Sequence, residues 1–104
     1  MRTESNPLQN FAPGIKASAP WRVLSVIAHP KFRLEVRFVD GLQGYVDLSK
    51  KIFRDDAGVF AKLRDPTLFN QVFVEYGAVT WPGELDLAPD AMYDEIKKKG
   101  EWIL

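Results

Sequence analysis

The chain contains no cysteine and only one histidine among its 104 residues. Without cysteine it can form no disulfide, thiolate nucleophile or thiolate metal site, and this composition is typical of a reducing compartment. It also has no apolar run that approaches the roughly 20 residues of a membrane span, and its first residues include no apolar stretch of signal-peptide length. We therefore expect a soluble, cytoplasmic protein that neither enters a membrane nor is secreted.

A net charge is also lacking, because 14 basic residues balance 14 acidic ones. No overall field then attracts phosphate backbones or anionic lipid headgroups. We do not expect nucleic acid as a partner unless a separate DNA-binding domain supplies the contact. What is present is an ordinary globular composition, 46% hydrophobic and 12% aromatic, which is sufficient for one core.

Residues 1–20 differ in composition from the rest of the chain. They contain three prolines and a glycine among small and polar residues, with few apolar positions. Such a composition is typical of linkers and gives too little apolar surface to offset the entropy of ordering. We predict a mobile leader over 1–20 and a single α+β domain over 21–104.

The clearest strand lies at residues 32–38, where apolar and charged residues alternate with a period of two. The alternation predicts that one set faces the core and that the other faces outward. The inward set is Phe32, Leu34, Val36 and Phe38, and the outward set is Arg33, Glu35 and Arg37.

Other segments complete the predicted order of elements. Residues 21–28, 45–48, 71–76 and 78–81 have strand composition, and the last two flank Gly77 as a hairpin would. Val59, Phe60 and Leu63 recur at helical spacing, and a second helix extends from Pro89 to a stop at Gly100. The order β-β-β-α-β-β-α predicts an α+β fold, a small antiparallel sheet of about five strands with two short helices.

Few residues are candidates for catalysis or for binding a metal or nucleotide. His29 is the single imidazole, it precedes Pro30 at a predicted turn, and no Gly-x-Ser-x-Gly element occurs. Gly41 and Gly44 lead into a strand and not into a helix, which excludes a phosphate-binding loop. The carboxylates lack a ligand spacing, and most of them fit turns, loops or helix starts; they are Asp40, Asp47, Asp55, Asp56, Glu84, Asp86 and Asp90. We predict no catalytic residue, no metal and no cofactor, and a small enzyme is the third interpretation.

Two arginines on the predicted outward face, Arg33 and Arg37, define the alternative, a nucleic-acid-binding face. Tyr45 is an aromatic neighbour on which a base could stack. Glu35 and Asp47 are interleaved with these groups, and this mixture favours an ordinary mixed-charge surface.

The last three residues, Trp102, Ile103 and Leu104, form an apolar triplet beyond the helix stop at Gly100. Burying side chains of this size is worth roughly 1.5 to 3 kcal/mol each. We predict that the triplet docks onto the domain's own core or onto a neighbouring chain, which leaves a homodimer open.

Three segments between Trp21 and Tyr93 resemble a known family in order and spacing. They are Phe38-Val-Asp-Gly-Leu-Gln-Gly-Tyr-Val-Asp-Leu-Ser49, Gly58-Val-Phe-Ala-Lys-Leu63 and Val79-Thr-Trp-Pro-Gly-Glu-Leu-Asp-Leu-Ala-Pro-Asp-Ala-Met-Tyr93. The family comprises short bacterial and phage proteins catalogued as a domain of unknown function, number twenty-four forty-two. The block with Trp-Pro, Asp-Leu, Pro-Asp and Tyr is its most specific part.

The resemblance implies an α+β fold without known enzymatic activity, often encoded beside a small toxin-like protein. It also shows a departure, because Ala88 stands where related sequences often have a helix-capping serine. We predict a non-enzymatic partner-binding or regulatory module, antitoxin-like in such a pair. Its predicted partner-binding residues are Trp81, Asp86, Leu87, Tyr93, Trp102, Ile103 and Leu104.

Overall fold

A computed structural model describes residues 19–104, so the predicted leader lies outside the described residues except for its last two positions. The described part contains strands β1 to β7, helices α1 to α3 and one 3-10 helix. In chain order these are β1 (Val23–His29), β2 (Arg33–Phe38), β3 (Gln43–Asp47), α1 (Ser49–Phe53), the 3-10 helix (Gly58–Arg64), α2 (Pro66–Phe69), β4 (Phe73–Glu75), β5 (Ala78–Trp81), β6 (Leu85–Asp86), α3 (Pro89–Lys99) and β7 (Glu101–Ile103). The fold is α+β, as predicted.

The larger sheet has four strands in the order β1-β2-β3-β7. The alternation predicted for β2 is confirmed: Leu34, Val36 and Phe38 are fully buried, whereas Arg37 on the opposite face is exposed. β1 and β3 pair with β2 in the antiparallel sense. The core therefore lies against one face of this sheet.

The C-terminal triplet forms most of β7, which pairs with β3 in the parallel sense so that Val46 lies opposite Trp102. Trp102 and Leu104 pack against the core, whereas Ile103 points to the other face and is half exposed. The predicted docking onto the domain's own core is thus what the structure has for two of the three residues. The predicted sheet did not contain this parallel strand, because three residues are too few to show a period.

A second sheet of three strands has the order β4-β5-β6. The predicted hairpin around Gly77 is present, with both turn residues, Tyr76 and Gly77, at positive φ as a tight turn between twisted strands requires. Val23 N donates to Gly77 O at 2.8 Å and joins the hairpin to the start of β1. Residues 19–104 therefore form two sheets where a single one was predicted, since a pattern of strands does not specify which of them pair.

The connection between the two sheets is more helical than the sequence pattern indicated. The predicted short helix is a 3-10 helix, in which Leu63 is buried but Val59 is 60% exposed. The 3-10 helix repeats every three residues, so positions 59 and 63 do not share one face as they would in an α-helix. α2 follows, and the carboxylate of Asp65 caps it by accepting from Thr67 N at 2.9 Å.

Helix α3 covers the inner face of β3 and β7. Met92 and Ile96 are its buried residues, and Gly100 ends it at a φ of 80°, as predicted. Gly44 makes the close approach feasible, because a Cβ there would stand 2.5 Å from Ile96 Cγ2 and 2.6 Å from Gly100 O. Ala88 precedes the helix and gives it no side-chain cap.

No helix within residues 19–104 is long and apolar enough to cross a membrane.

Candidate functional site

The candidate site is the face of the four-stranded sheet opposite the core, which we call the open face. Side chains of residues paired across strands project on the same side of a sheet, so the register identifies its members. They are Ser25, Ile27, His29, Arg33, Glu35, Arg37, Gln43, Tyr45, Asp47, Glu101 and Ile103. All of them are exposed or only partly buried.

A network of side-chain hydrogen bonds extends across the open face from β1 to β3. His29 Nε2 lies 2.9 Å from Glu35 Oε1, and Gln43 Nε2 donates to Glu35 Oε2 at 2.7 Å. Arg37 Nη2 donates to Gln43 Oε1 at 3.5 Å. Both carboxylate oxygens of Glu35 are therefore occupied, and the side chains of three strands are held in a fixed arrangement.

The Arg33 guanidinium lies over the Tyr45 ring on this face, with its Cζ 5.1 Å from the centre of the ring. The His29 ring lies on the same side, 6.2 Å from that of Tyr45. Together with Pro30 these three side chains line a cavity of about 450 Å³ at the β1–β2 end of the sheet. Arg33 Nε is buried and has no hydrogen-bond partner among residues 19–104.

The loop that carries Pro30 has an unusual backbone. Lys31 and Phe32 both have positive φ, at 66° and 61°, which is uncommon for residues other than glycine. The Phe32 ring meets the edges of Phe53 and Phe69, each at 5.3 Å between ring centres. This packing holds the loop, and with it one wall of the cavity, in a conformation that a free chain would rarely adopt.

Apolar side chains on the open face remain in contact with solvent. Ile27 is 54% exposed, Ile103 50% and Tyr45 41%. Apolar and aromatic groups set among charged ones are typical of surfaces that bind other proteins.

The residues of the family signature mainly support the fold. Trp81 is fully buried, its ring lies 5.9 Å from that of Phe69, and its Nε1 donates to Phe69 O at 2.9 Å. Leu87 is also buried and belongs to the same core. These two predicted contact residues offer a partner no accessible side chain in this structure.

Asp86 and Tyr93 remain accessible but lie on other elements. Asp86 is exposed on β6, opposite Thr80. The Tyr93 hydroxyl donates to Asp40 Oδ2 at 2.6 Å, and this hydrogen bond to a carboxylate raises the pKa of the Tyr93 phenol. The predicted partner-binding residues are therefore distributed over β5, β6, α3 and β7, with Leu87 just after β6 and Leu104 just after β7. Of these residues only Ile103 belongs to the open face.

Most other carboxylates serve local structure, as predicted. Asp40 Oδ1 accepts from Leu42 N in the β2–β3 turn, and Asp47 Oδ1 accepts from both Ser49 N and Ser49 Oγ. Within the part of the chain that the structure covers, no group of three or more His, Asp or Glu side chains is placed to hold a metal ion.

Sequence reasoning assigned His29 to a turn, and it did not connect Glu35 and Gln43 with a site. His29 is the last residue of β1, directly opposite Arg33. The alternation in β3 could have predicted part of this site. Its residues Gln43, Tyr45 and Asp47 alternate with inward-facing residues and therefore lie on the same face as Arg33.

The family model described as "Protein of unknown function (DUF2442)" matches residues 23–98, from the first residue of β1 almost to the end of α3. The chain belongs to this family. No curated protein and no solved structure matches it.

Proposed function

We propose that this family member is a non-enzymatic, cytoplasmic module that binds a protein partner through the open face. The observation that supports this most directly is the half-exposed set Ile27, Tyr45 and Ile103 on a sheet face whose polar side chains are already held in place. Covering apolar area of this kind is worth about 25 cal/mol per Å². A partner that covers the face therefore gains affinity without having to order it first.

The family resemblance supports a proposal for the partner. Because related proteins are often encoded beside a small toxin-like protein, we propose that the partner is such a protein and that this chain acts as the antitoxin-like member. A second copy of this chain is the other protein that the same surface could bind.

The nucleic-acid alternative would use the same face, through Arg33 and Arg37. Three acidic residues, Glu35, Asp47 and Glu101, lie on this face beside the two arginines. Repulsion between these carboxylates and phosphates opposes binding, so affinity for random duplex DNA should stay in the usual non-specific range, about 10⁻⁴ to 10⁻⁶ M at physiological salt. A gel shift with submicromolar affinity at that salt would favour the alternative.

Affinity capture from the native host tests the proposal. The tagged full chain is compared with the double variant Ile27→Thr/Tyr45→Thr, which removes apolar area but keeps residues with high strand propensity. The matched control is Val59→Thr, an equally exposed valine on the 3-10 helix.

The expected result is a protein that the wild type and the control retain and that the double variant loses. Equal retention by all three chains, or recovery of nucleic acid in place of protein, would contradict the proposal.

A further inference from the structure

The cavity lined by His29, Pro30, Arg33 and Tyr45 contains a positive charge whose position is fixed before any ligand arrives. The guanidinium of Arg33 rests on the Tyr45 ring at 5.1 Å, a favourable cation–π distance. A planar guanidinium held in this way loses little further freedom when it forms hydrogen bonds.

This charge lacks a counter-ion in the described part of the chain. Both carboxylate oxygens of Glu35 are engaged, by His29 and Gln43, and Asp47, which is paired with Arg33 across the strands, accepts through Oδ1 from Ser49. Arg33 forms no salt bridge within residues 19–104.

The chemistry of the cavity indicates a carboxylate as the ligand of Arg33. Because Nε is covered, a carboxylate would meet the outer end of the guanidinium and accept from its two Nη atoms in a bidentate geometry. The other walls are an imidazole, a proline ring and a phenol. These groups suit the methylene carbons of an acidic side chain better than they suit a free, strongly hydrated anion. A phosphate carries more charge and generally meets clusters of basic groups, which this cavity does not have.

We propose that the cavity binds the carboxylate of an aspartate or glutamate side chain presented by the protein partner, with Arg33 as its ion-pair partner and Tyr45 as the support beneath Arg33. The inference rests on the proposed function, since it specifies what the partner places on the open face. It predicts that the partner's contact surface is acidic at this point.

An NMR titration of the full chain with sodium acetate tests the cavity alone. Sodium chloride and sodium phosphate at matched ionic strength are the comparison titrants, and the readouts are the Arg33 Nε–Hε signal and the Tyr45 amide. Acetate should shift both signals and saturate in the millimolar range, whereas chloride should not. No saturable shift, or a stronger response to phosphate than to acetate, would overturn the assignment of a carboxylate.

Variants locate the effect. Arg33→Gln should abolish the acetate response, whereas Arg54→Gln, which removes an exposed arginine outside the open face, should leave it unchanged. Arg33→Lys keeps the charge and gives a second test if the glutamine variant folds poorly; it should weaken acetate binding several-fold, because an ammonium group cannot bind in the bidentate way. Equal acetate binding by the wild type and Arg33→Lys would overturn the proposed geometry.

Capture with the same variants separates this inference from the proposed function. If Arg33→Gln loses the partner and Arg54→Gln retains it, the inference is supported. If Arg33→Gln retains the partner at the wild-type level, the inference fails while the proposed function stands. If acetate binds but no chain captures a protein, the proposed function fails and the cavity takes its carboxylate from a source other than a partner, which overturns the inference as stated.

Discussion

The two faces of the four-stranded sheet are built from the same strands, one residue apart, yet they differ in almost every property. The inner face carries Leu34, Val36 and Val46, all fully buried beneath α3 and the helical connection. The open face carries Arg33, Glu35 and Tyr45, in contact with solvent and with one another. The inner face therefore determines whether the chain folds, whereas stability should depend little on the open face.

The largest effect should come from truncating the inner face. Phe38→Ala removes a fully buried ring that also meets Tyr93 edge-on at 5.1 Å, and we expect a loss of about 3 to 5 kcal/mol in the free energy of unfolding. Its neighbour Arg37 is exposed on the open face, and Arg37→Ala should change stability by less than about 0.5 kcal/mol. Urea denaturation of both variants checks the contrast, and similar losses for the two would contradict the division of roles.

Adding a single methyl group to the inner face should have the next largest effect. Gly44→Ala places a Cβ against Ile96 and the carbonyl of Gly100, and we expect a loss of about 1 to 3 kcal/mol because α3 must move away from β3. Gln43→Ala, one position away on the open face, is the control. Thermal unfolding measures both, and an unchanged midpoint for Gly44→Ala would show that α3 does not pack as closely as described.

The helix that covers the inner face can also be strengthened. Ala88 precedes α3 with extended backbone angles and no side-chain cap, so Ala88→Ser should stabilise the protein by about 1 kcal/mol. Hydrogen exchange of the first amides of α3 should slow in the same variant. Faster exchange there, or a lower unfolding midpoint, would mean that a serine cannot cap this helix.

The smallest expected effect concerns pH and the contact between α3 and the β2–β3 turn. The hydrogen bond to Asp40 raises the pKa of Tyr93 above its ordinary value of 10.0, so the folded protein keeps a proton that the unfolded chain has lost. The contribution to stability is fully present below pH 10 and is lost as the pH rises through the folded-state pKa.

Denaturation at pH 8 and above pH 10 checks this. The wild type and the control Tyr76→Phe, whose side chain is 87% exposed, should lose more stability over that interval than Tyr93→Phe. Parallel pH profiles for all three chains would argue against the Asp40 contact.

How much the sequence could predict differs between the two faces in the same way. The period of two along residues 32–38 gave the correct inner and outer sets, because burial acts on each residue of one strand independently of the other strands. The contacts among His29, Glu35 and Gln43 depend on the register of three strands, which no local pattern contains. The arginine–tyrosine pair at the cavity escaped prediction for the same reason.

The helical connection was mispredicted for a local reason. α1 is only five residues long and its sequence, Ser-Lys-Lys-Ile-Phe, has a single buried position, Ile52, so it shows no apolar stripe. The spacing of apolar residues predicts an α-helix where the structure has a 3-10 helix, because the apolar patterns of the two helix types coincide over so few residues. Tertiary packing, which the sequence pattern does not contain, decided between them.

The parallel pairing of β7 with β3 has a consequence for the order in which the protein folds. Tyr45 and Glu101 lie opposite each other although the 3-10 helix, the whole second sheet and α3 separate them along the chain. Closing so long a loop is entropically costly and slow, and it becomes favourable only when the intervening residues are already compact. The β1–β2–β3 meander can form from residues close in sequence, so β7 should join the sheet last. Its amides should then exchange with solvent first. Protection of the β7 amides would therefore report that the rest of the domain has folded.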